Sequence, residues 1–368
     1  MRRWISVLVC VVVGACAGRP ASLLPQLEEL AARQEVERQN AIFLADFRDK
    51  LIHATTVYAT IARANADQCP RTAYVHTGML TASVGDFRTD QRDAARRIFG
   101  TEALDADADG AFVYWVLPAS PAARAGVELG DRIVALDGSV VGGGDKASQR
   151  FANLLRQHGG GGRPIRFTVQ RGTLPLAIDL APENTCDYAI EVRRSDRINA
   201  FADGSGVAIT TGMLRFVATD DELALVLGHE LAHNTLKHRA AMVQNGVTGG
   251  LLGATGALLA TGPVGAVIGV GLAIQGATLG VEANSQEFES EADYIGAYFA
   301  VRAGYDVGNA ADLLRRFAVL DPGAIDLRGT SHPSTALRFL ALEQTGAEIR
   351  DKRHAGAPML PNPRPGVR

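Results

Sequence analysis

Two histidines four residues apart, with a glutamate next to the first, stand at His229-Glu230-Leu231-Ala232-His233, and the flanking residues favour a helix. At about 3.6 residues per turn, both rings fall on one face, one turn apart. Neutral imidazole nitrogens suit zinc, and a catalytic zinc needs three protein ligands with one position left open for water. Glu230 sits between the rings, where its carboxylate can take a proton from water and pass it to a leaving amine.

The helix is marked along its length. Thr219 reads as its N-cap, with Glu222 at N3 completing a capping box, and Asp220 and Asp221 favour the positive end of the helix dipole. Leu223, Val226, Leu227, Glu230, Leu231 and Asn234 follow at helical spacing. Lys237, His238 and Arg239 suit the last turn, which puts His238 on the far side of the rod from His229, as a solvated or capping histidine.

Two histidines alone bind zinc too weakly for catalysis. The candidate third ligand is Glu289, in a second helical stretch that reads Glu289-Ser290-Glu291-Ala292-Asp293. Asp293, one turn further on, faces the same way and is placed to accept the outer N–H of a ligating histidine and fix its tautomer. Glu291 points elsewhere.

In this combination the chain resembles the zinc metallopeptidases of the HtpX-type, BepA-type and CaaX-processing prenyl proteases, which are gluzincins. Their H-E-x-x-H helix, followed by a glutamate ligand with an aspartate four residues on, matches His229, Glu230, His233, Glu289 and Asp293. A preceding strand is matched by Asn199 to Ala202 and by Val207 to Leu214. A later H-P-x-x-x-x-R segment is matched by His332, Pro333 and Arg338. The likeness covers about residues 186–345 and the helix before residue 70. It implies an α+β fold, a mainly helical peptidase domain with a small edge-strand sheet. It also implies one zinc ion on His229, His233 and Glu289, Glu230 as general base, and Asp293 as an orienting group. His332 would lie near the metal, either stabilising the oxyanion or competing for the open position. A substrate strand would run along Asn199, Ala200, Phe201 and Ala202.

A separate module lies upstream. Ser120-Pro121-Ala122-Ala123-Arg124-Ala125-Gly126-Val127-Glu128-Leu129-Gly130-Asp131-Arg132-Ile133-Val134-Ala135-Leu136-Asp137-Gly138 resembles the signature of a protease-type PDZ domain. Around it the pattern predicts a strand over 112–117, a helix over 146–157, and two closing strands over 165–171 and 174–180. The resemblance implies a β-rich domain over 72–183, inserted into the peptidase, that adds a peptide to a sheet edge and captures its terminal carboxylate. The capturing loop is expected at Thr77-Gly78-Met79-Leu80.

The first residues bear on location. A short basic region (Met1-Arg2-Arg3), an apolar run over 4–13 and Val13-Gly14-Ala15-Cys16 resemble a lipoprotein signal peptide over 1–15 that leaves Cys16 lipidated. Ala17, rather than aspartate, points to the periplasmic face of an outer membrane. Of four cysteines, two lie in that segment, so Cys69 and Cys186 are left to form one disulfide at the neck of the PDZ module. Residues 16–68 read as a helical stalk followed by the first peptidase helix, with the peptidase domain over 186–350 and a disordered, proline-rich tail over 354–368. Gly246 to Val281 carries no charge and reads either as an apolar hairpin touching the membrane or as a lid over the cleft.

With a net charge of −3 and scattered basic residues, the chain is not read as a nucleic-acid binder. The expected partners are unfolded or misassembled envelope proteins, C-terminal peptides at the PDZ domain, and a membrane reached through the lipid anchor. The expected function is a zinc endopeptidase of the cell envelope. Two other readings stay open: a chaperone or assembly scaffold with a latent metal site, and a PDZ-led adaptor.

Overall fold

The computed structural model describes residues 29–69, 76–100, 104, 109–158, 163–186, 188–261, 285–320 and 336–362. The signal segment with Cys16, the glycine run 159–162, residues 262–281 of the uncharged stretch and the segment holding His332 lie outside the described residues.

The chain is α+β and mainly helical, with one six-stranded and one three-stranded sheet among the described residues. The first described element is a 36-residue helix, α1 (Glu29–Ala64). Ala54, Val57, Tyr58, Ile61 and Ala62 recur at three- and four-residue spacing and are all buried, so one stripe of α1 enters the largest core.

The larger sheet belongs to the module between the two cysteines. Its elements are β1 (Met79–Ala82), α2 (Arg92–Phe99), β2 (Ala111–Val116), α3 (Pro121–Ala125), β3 (Arg132–Leu136), β4 (Ser139–Val140), α4 (Ala147–His158), β5 (Ile165–Arg171) and β6 (Leu174–Leu180). The order is β1-β2-β3-β5-β6, with β4 paired to β3 and every pairing antiparallel. In β5, Ile165, Phe167 and Val169 alternate inward and are fully buried against Phe151 and Leu155 of α4. The opposite face of β2 presents Phe112 and Tyr114, which join Ala94 and Ala95 of α2 and Leu44 of α1 in a third, smaller core. The module is thereby seated on α1. Sequence patterning missed α2, whose only apolar side chains besides its two alanines are Ile98 and Phe99.

At the neck a Cys69–Cys186 disulfide, Cα to Cα 5.4 Å, ties together residues 117 apart. Arg63 and Arg124 both donate to the Glu183 carboxylate there.

The smaller sheet has β7 (Ala189–Arg193), β8 (Ala200–Ala202) and β9 (Gly206–Thr210) in the order β7-β9-β8, with β7 parallel and β8 antiparallel to β9. The strand expected over 207–214 ends early. The Thr210 side chain accepts from the Met213 N–H and caps a short helix, α5 (Thr211–Phe216). Then come α6 (Asp220–Thr235), α7 (His238–Thr261), α8 (Ser285–Arg302), α9 (Ala310–Leu320) and α10 (Ala336–His354). The first arm of the uncharged stretch thus continues α7, with Val243, Val247, Leu251 and Leu252 exposed. No helix among the described residues is long and apolar enough to cross a membrane.

The chain after His354 departs from the expected disorder as far as residue 362. Lys352 Nζ donates to the Leu360 carbonyl, and Asn362 bonds both the Tyr294 hydroxyl and the Glu348 carboxylate. These polar anchors hold a segment that its proline content made look free.

Candidate metal and peptide sites

Thr219 accepts from the Glu222 N–H, so α6 starts where the sequence places it. The capping box is not closed, however: the Glu222 carboxylate takes the Ala218 N–H and a bidentate pair from Arg316 instead.

A close helix crossing brings α8 to α6. A Cβ on Gly228 would lie 2.6 Å from the Gly296 carbonyl oxygen, and one on Gly296 would lie 2.6 Å from the His229 backbone nitrogen. Only glycine lets the two backbones approach this closely. The crossing sets Glu289 and Asp293 of α8 against the histidine face of α6.

His229, His233 and Glu289 converge there, each offering one donor atom, all within 4.8 Å of one another. His229 Nε2 lies 3.0 Å from His233 Nε2, and the Glu289 oxygens lie 3.4 Å and 3.3 Å from these nitrogens. Tetrahedral zinc with bonds of about 2.0–2.1 Å needs ligand atoms about 3.3 Å apart, so the donor set fits that ion in both type and spacing. Glu230 is buried beside the cluster, close enough to act on the charges of His233 and Arg338.

The outer atoms are braced. His229 Nδ1 lies 2.9 Å from Asp293 Oδ1, and Asp293 accepts two 2.7 Å hydrogen bonds from Arg338, which also reaches Glu289 at 3.1 Å. Burial opposes a charged Asp293, but the Arg338 guanidinium and His229 together outweigh it and hold the carboxyl at about 2. Burial also works against a charged His229, yet Asp293 and Glu289 prevail and raise it to about 10 among protein groups alone. Burial drives His233 below the ordinary imidazole value, against the pull of Glu289.

The position of His238 corrects the sequence reading. α6 ends at Thr235, Lys237 takes a left-handed φ of 58°, and His238 opens α7 rather than closing α6. A helical wheel drawn through the turn put it on the wrong side. It is 2% exposed, with Nδ1 3.0 Å from His233 Nδ1 and Nε2 3.2 Å from Glu291 Oε2. Glu291 is off the ligand face, but its partner touches a ligand. Arg338, quoted in the H-P motif without a role, Gly228 and Gly296 are the other contributors that sequence reasoning left unassigned.

The candidate substrate edge lies beside α6. Ala200, Phe201 and Ala202 form β8 at the end of its sheet, and Asn199 precedes it, its carbonyl accepting from the Thr210 N–H and hydroxyl. Asn234 of α6 clamps the β8–β9 turn by accepting from Gly204 N–H and donating to the Gly206 carbonyl. The edge is fixed to the helix that carries both histidines.

The candidate peptide loop lies at the entry to β1. Gly78 has φ +73°, and a Cβ there would lie 2.1 Å from Ser120 Cβ. Its carbonyl accepts from Leu117 N–H, and that of Thr77 from Ala122 N–H, so the loop entering β1 is pinned to the start of α3. Met79 packs on the module's core, and β1 is a terminal strand of its sheet. Beyond Ala82 the chain leaves the strand: Ser83 Oγ donates to the Asp145 carbonyl, and Ser148 Oγ to Asp86 Oδ1. Thr77 to Leu80 also line a cavity of about 170 Å³ with Tyr58, Cys186, Tyr188 and Ile190.

Comparison with known proteins finds two family models that match this chain. Residues 168–346 match the model of Peptidase family M48, and residues 112–171 that of the PDZ domain. The PDZ match leaves out β1 and β6, which are paired into the same sheet. The beta-barrel assembly-enhancing protease of Escherichia coli (strain K12) is 30% identical over 172 residues, 45% of this chain and 34% of the relative. Its namesake in Yersinia pestis is 31% identical over 135 residues, 34% of this chain and 27% of the relative. The mitochondrial metalloendopeptidase OMA1 of Schizosaccharomyces pombe is 28% identical over 209 residues, covering 54% and 59%. The matched part of this chain thus spans about a third or less of the length of those bacterial relatives.

Proposed function

We propose that this chain, which matches Peptidase family M48 over residues 168–346 and a PDZ domain over 112–171, is a zinc-dependent endopeptidase acting on unfolded or unassembled cell-envelope proteins. The observation that carries this reading is the convergence of His229, His233 and Glu289 at zinc-like spacing beside a buried Glu230.

His229 Nε2, His233 Nε2 and a Glu289 oxygen would hold the ion. Bound there, zinc supplies Lewis acidity that polarises a carbonyl and acidifies water. Glu230 accepts the proton of the attacking water and delivers it to the nitrogen of the leaving amine. Asp293, charged and fixed by Arg338, accepts from His229 Nδ1 and holds that ring's plane and tautomer. His332, from the H-P segment, is proposed either to donate to the oxyanion or to close the site.

Substrate backbone is proposed to pair with β8 at Ala200, Phe201 and Ala202, which reads main chain more than side chain and so favours unfolded segments. The β1 edge with Gly78, Met79 and Leu80 would take a free C-terminus. A lipid anchor on Cys16 would tether the enzyme at the periplasmic face of the outer membrane, and the similarity to beta-barrel assembly-enhancing proteases supports unassembled envelope proteins as its substrates.

The test is to load the full-length chain with zinc, measure the metal content, and offer it one β-barrel protein in urea-unfolded and in folded form. The expected result is cleavage of the unfolded form alone. A chain holding one zinc that cleaves neither form overturns the endopeptidase reading.

A further inference from the structure

The two histidines of the cluster are backed differently. His229 meets a carboxylate directly, whereas the outer nitrogen of His233 meets a second imidazole, that of His238, at 3.0 Å. His238 in turn lies 3.2 Å from Glu291 and stacks on Phe288, ring centroids 4.7 Å apart and 25° from parallel. None of this is visible in the spacing of the histidine motif, because a turn at Lys237 folds His238 back.

We propose that His238, oriented by Glu291, is a positioning residue for His233: it accepts the Nδ1–H of His233 and so holds that ring in the tautomer whose Nε2 lone pair faces His229 and Glu289. This rests on the reading of His229, His233 and Glu289 as a zinc site.

The proton count follows from geometry. Between two Nδ1 atoms at hydrogen-bond distance only one proton fits. If it sits on His238, the proton of a neutral His233 must be on Nε2, which turns a donor toward the cluster and blocks it as a ligand. If it sits on His233, Nε2 of that ring is free to bind, and His238 carries its own proton on Nε2, where the Glu291 carboxylate accepts it. Only the second arrangement makes every contact in the chain Glu291, His238, His233 a donor meeting an acceptor. The stack on Phe288 keeps the His238 ring edge aimed at both partners, and 2% exposure keeps water from replacing it. Each metal-facing histidine thus ends on a carboxylate of α8, Asp293 directly and Glu291 through one imidazole.

The experiment compares zinc affinity, by chelator competition, in full-length wild type, His238→Gln, His238→Leu and Glu291→Gln, with the melting temperature of each zinc-free chain as a fold control. Glutamine offers an amide oxygen to the His233 Nδ1–H; leucine fills space and offers nothing. The expected result is a loss of about 10- to 100-fold in zinc affinity for His238→Leu, as for other outer supports of metal-bound histidines, with His238→Gln within about threefold of wild type and Glu291→Gln between them. Zinc binding by His238→Leu as tight as wild type overturns the inference. So does equal loss in the Leu and Gln variants with equally lowered zinc-free melting temperatures, which marks a packing role. A wild-type chain that takes up no zinc overturns the metal reading itself, and is told apart from the other outcomes because it needs no variant.

Discussion

The candidate metal site and the PDZ edge are built in opposite ways. In the cluster, side chains do the work: His229, His233, Glu289, Asp293 and Arg338 are buried or nearly so and cross-braced across three helices. At the β1 edge, backbone would do the work under the proposed peptide binding, and side chains such as Met79 and Ser120 hold the loop in shape. The difference teaches where damage should show. A change in the cluster should spoil metal binding and stability together, whereas a change at the loop should spoil peptide capture and leave hydrolysis intact.

The largest effect is expected from Arg338→Met. Removing the guanidinium leaves the charged Asp293 carboxylate buried without its main partner, a loss of about 3–5 kcal/mol in folding stability for a broken buried pair. Urea unfolding checks it, and a loss under about 1 kcal/mol would mean the brace is dispensable. The double variant Asp293→Asn with Arg338→Met should recover part of the loss.

Next comes an acid effect confined to the neck. Burial, against the pull of Glu183 and with the push of Arg63, holds His76 at about 4. A folded-state value below the unfolded one means the unfolded chain binds the proton first. The contribution is therefore present above about pH 6.5 and is lost as pH falls toward 4, up to about 3 kcal/mol in all. Stability measured between pH 7 and 4 should fall less steeply in His76→Asn than in wild type. Equal slopes would show that His76 is exposed in solution.

The smallest effect should be the most selective. Gly78→Ala places a Cβ in the left-handed region and against Ser120, a strain of about 1–3 kcal/mol borne by the loop. Binding of C-terminal peptides, followed by fluorescence polarisation, should weaken at least tenfold while cleavage of an unfolded protein lacking a matching C-terminus stays within twofold. Parallel loss of both would erase the contrast between the two regions.

How much could be read in advance follows the same divide. His229, Glu230, His233, Glu289 and Asp293 were legible because helices repeat, so four-residue spacing reports a shared face. His238 was misplaced because that repeat stops at Thr235, and nothing in the residues Leu236 and Lys237 announces the left-handed turn. The strand over 207–214 was overextended for a like reason: Thr210 is at home in a strand and equally able to cap a helix. The importance of Gly228 and Gly296 was invisible, since a close crossing needs the partner helix to be known. The seat of the PDZ module on α1 was also hidden, because Phe112 and Tyr114 alternate like any strand residues and only the fold shows what covers their outer face.

The central claim is that Glu230 drives hydrolysis at a zinc site made by His229, His233 and Glu289. The direct measurement is the rate at which the zinc-loaded full-length chain degrades an unfolded protein, beside Glu230→Gln prepared identically and shown to hold equal zinc. The account predicts cleavage by the first and a loss of at least about a hundredfold in the second, the scale of a general base. Equal rates in both would contradict it.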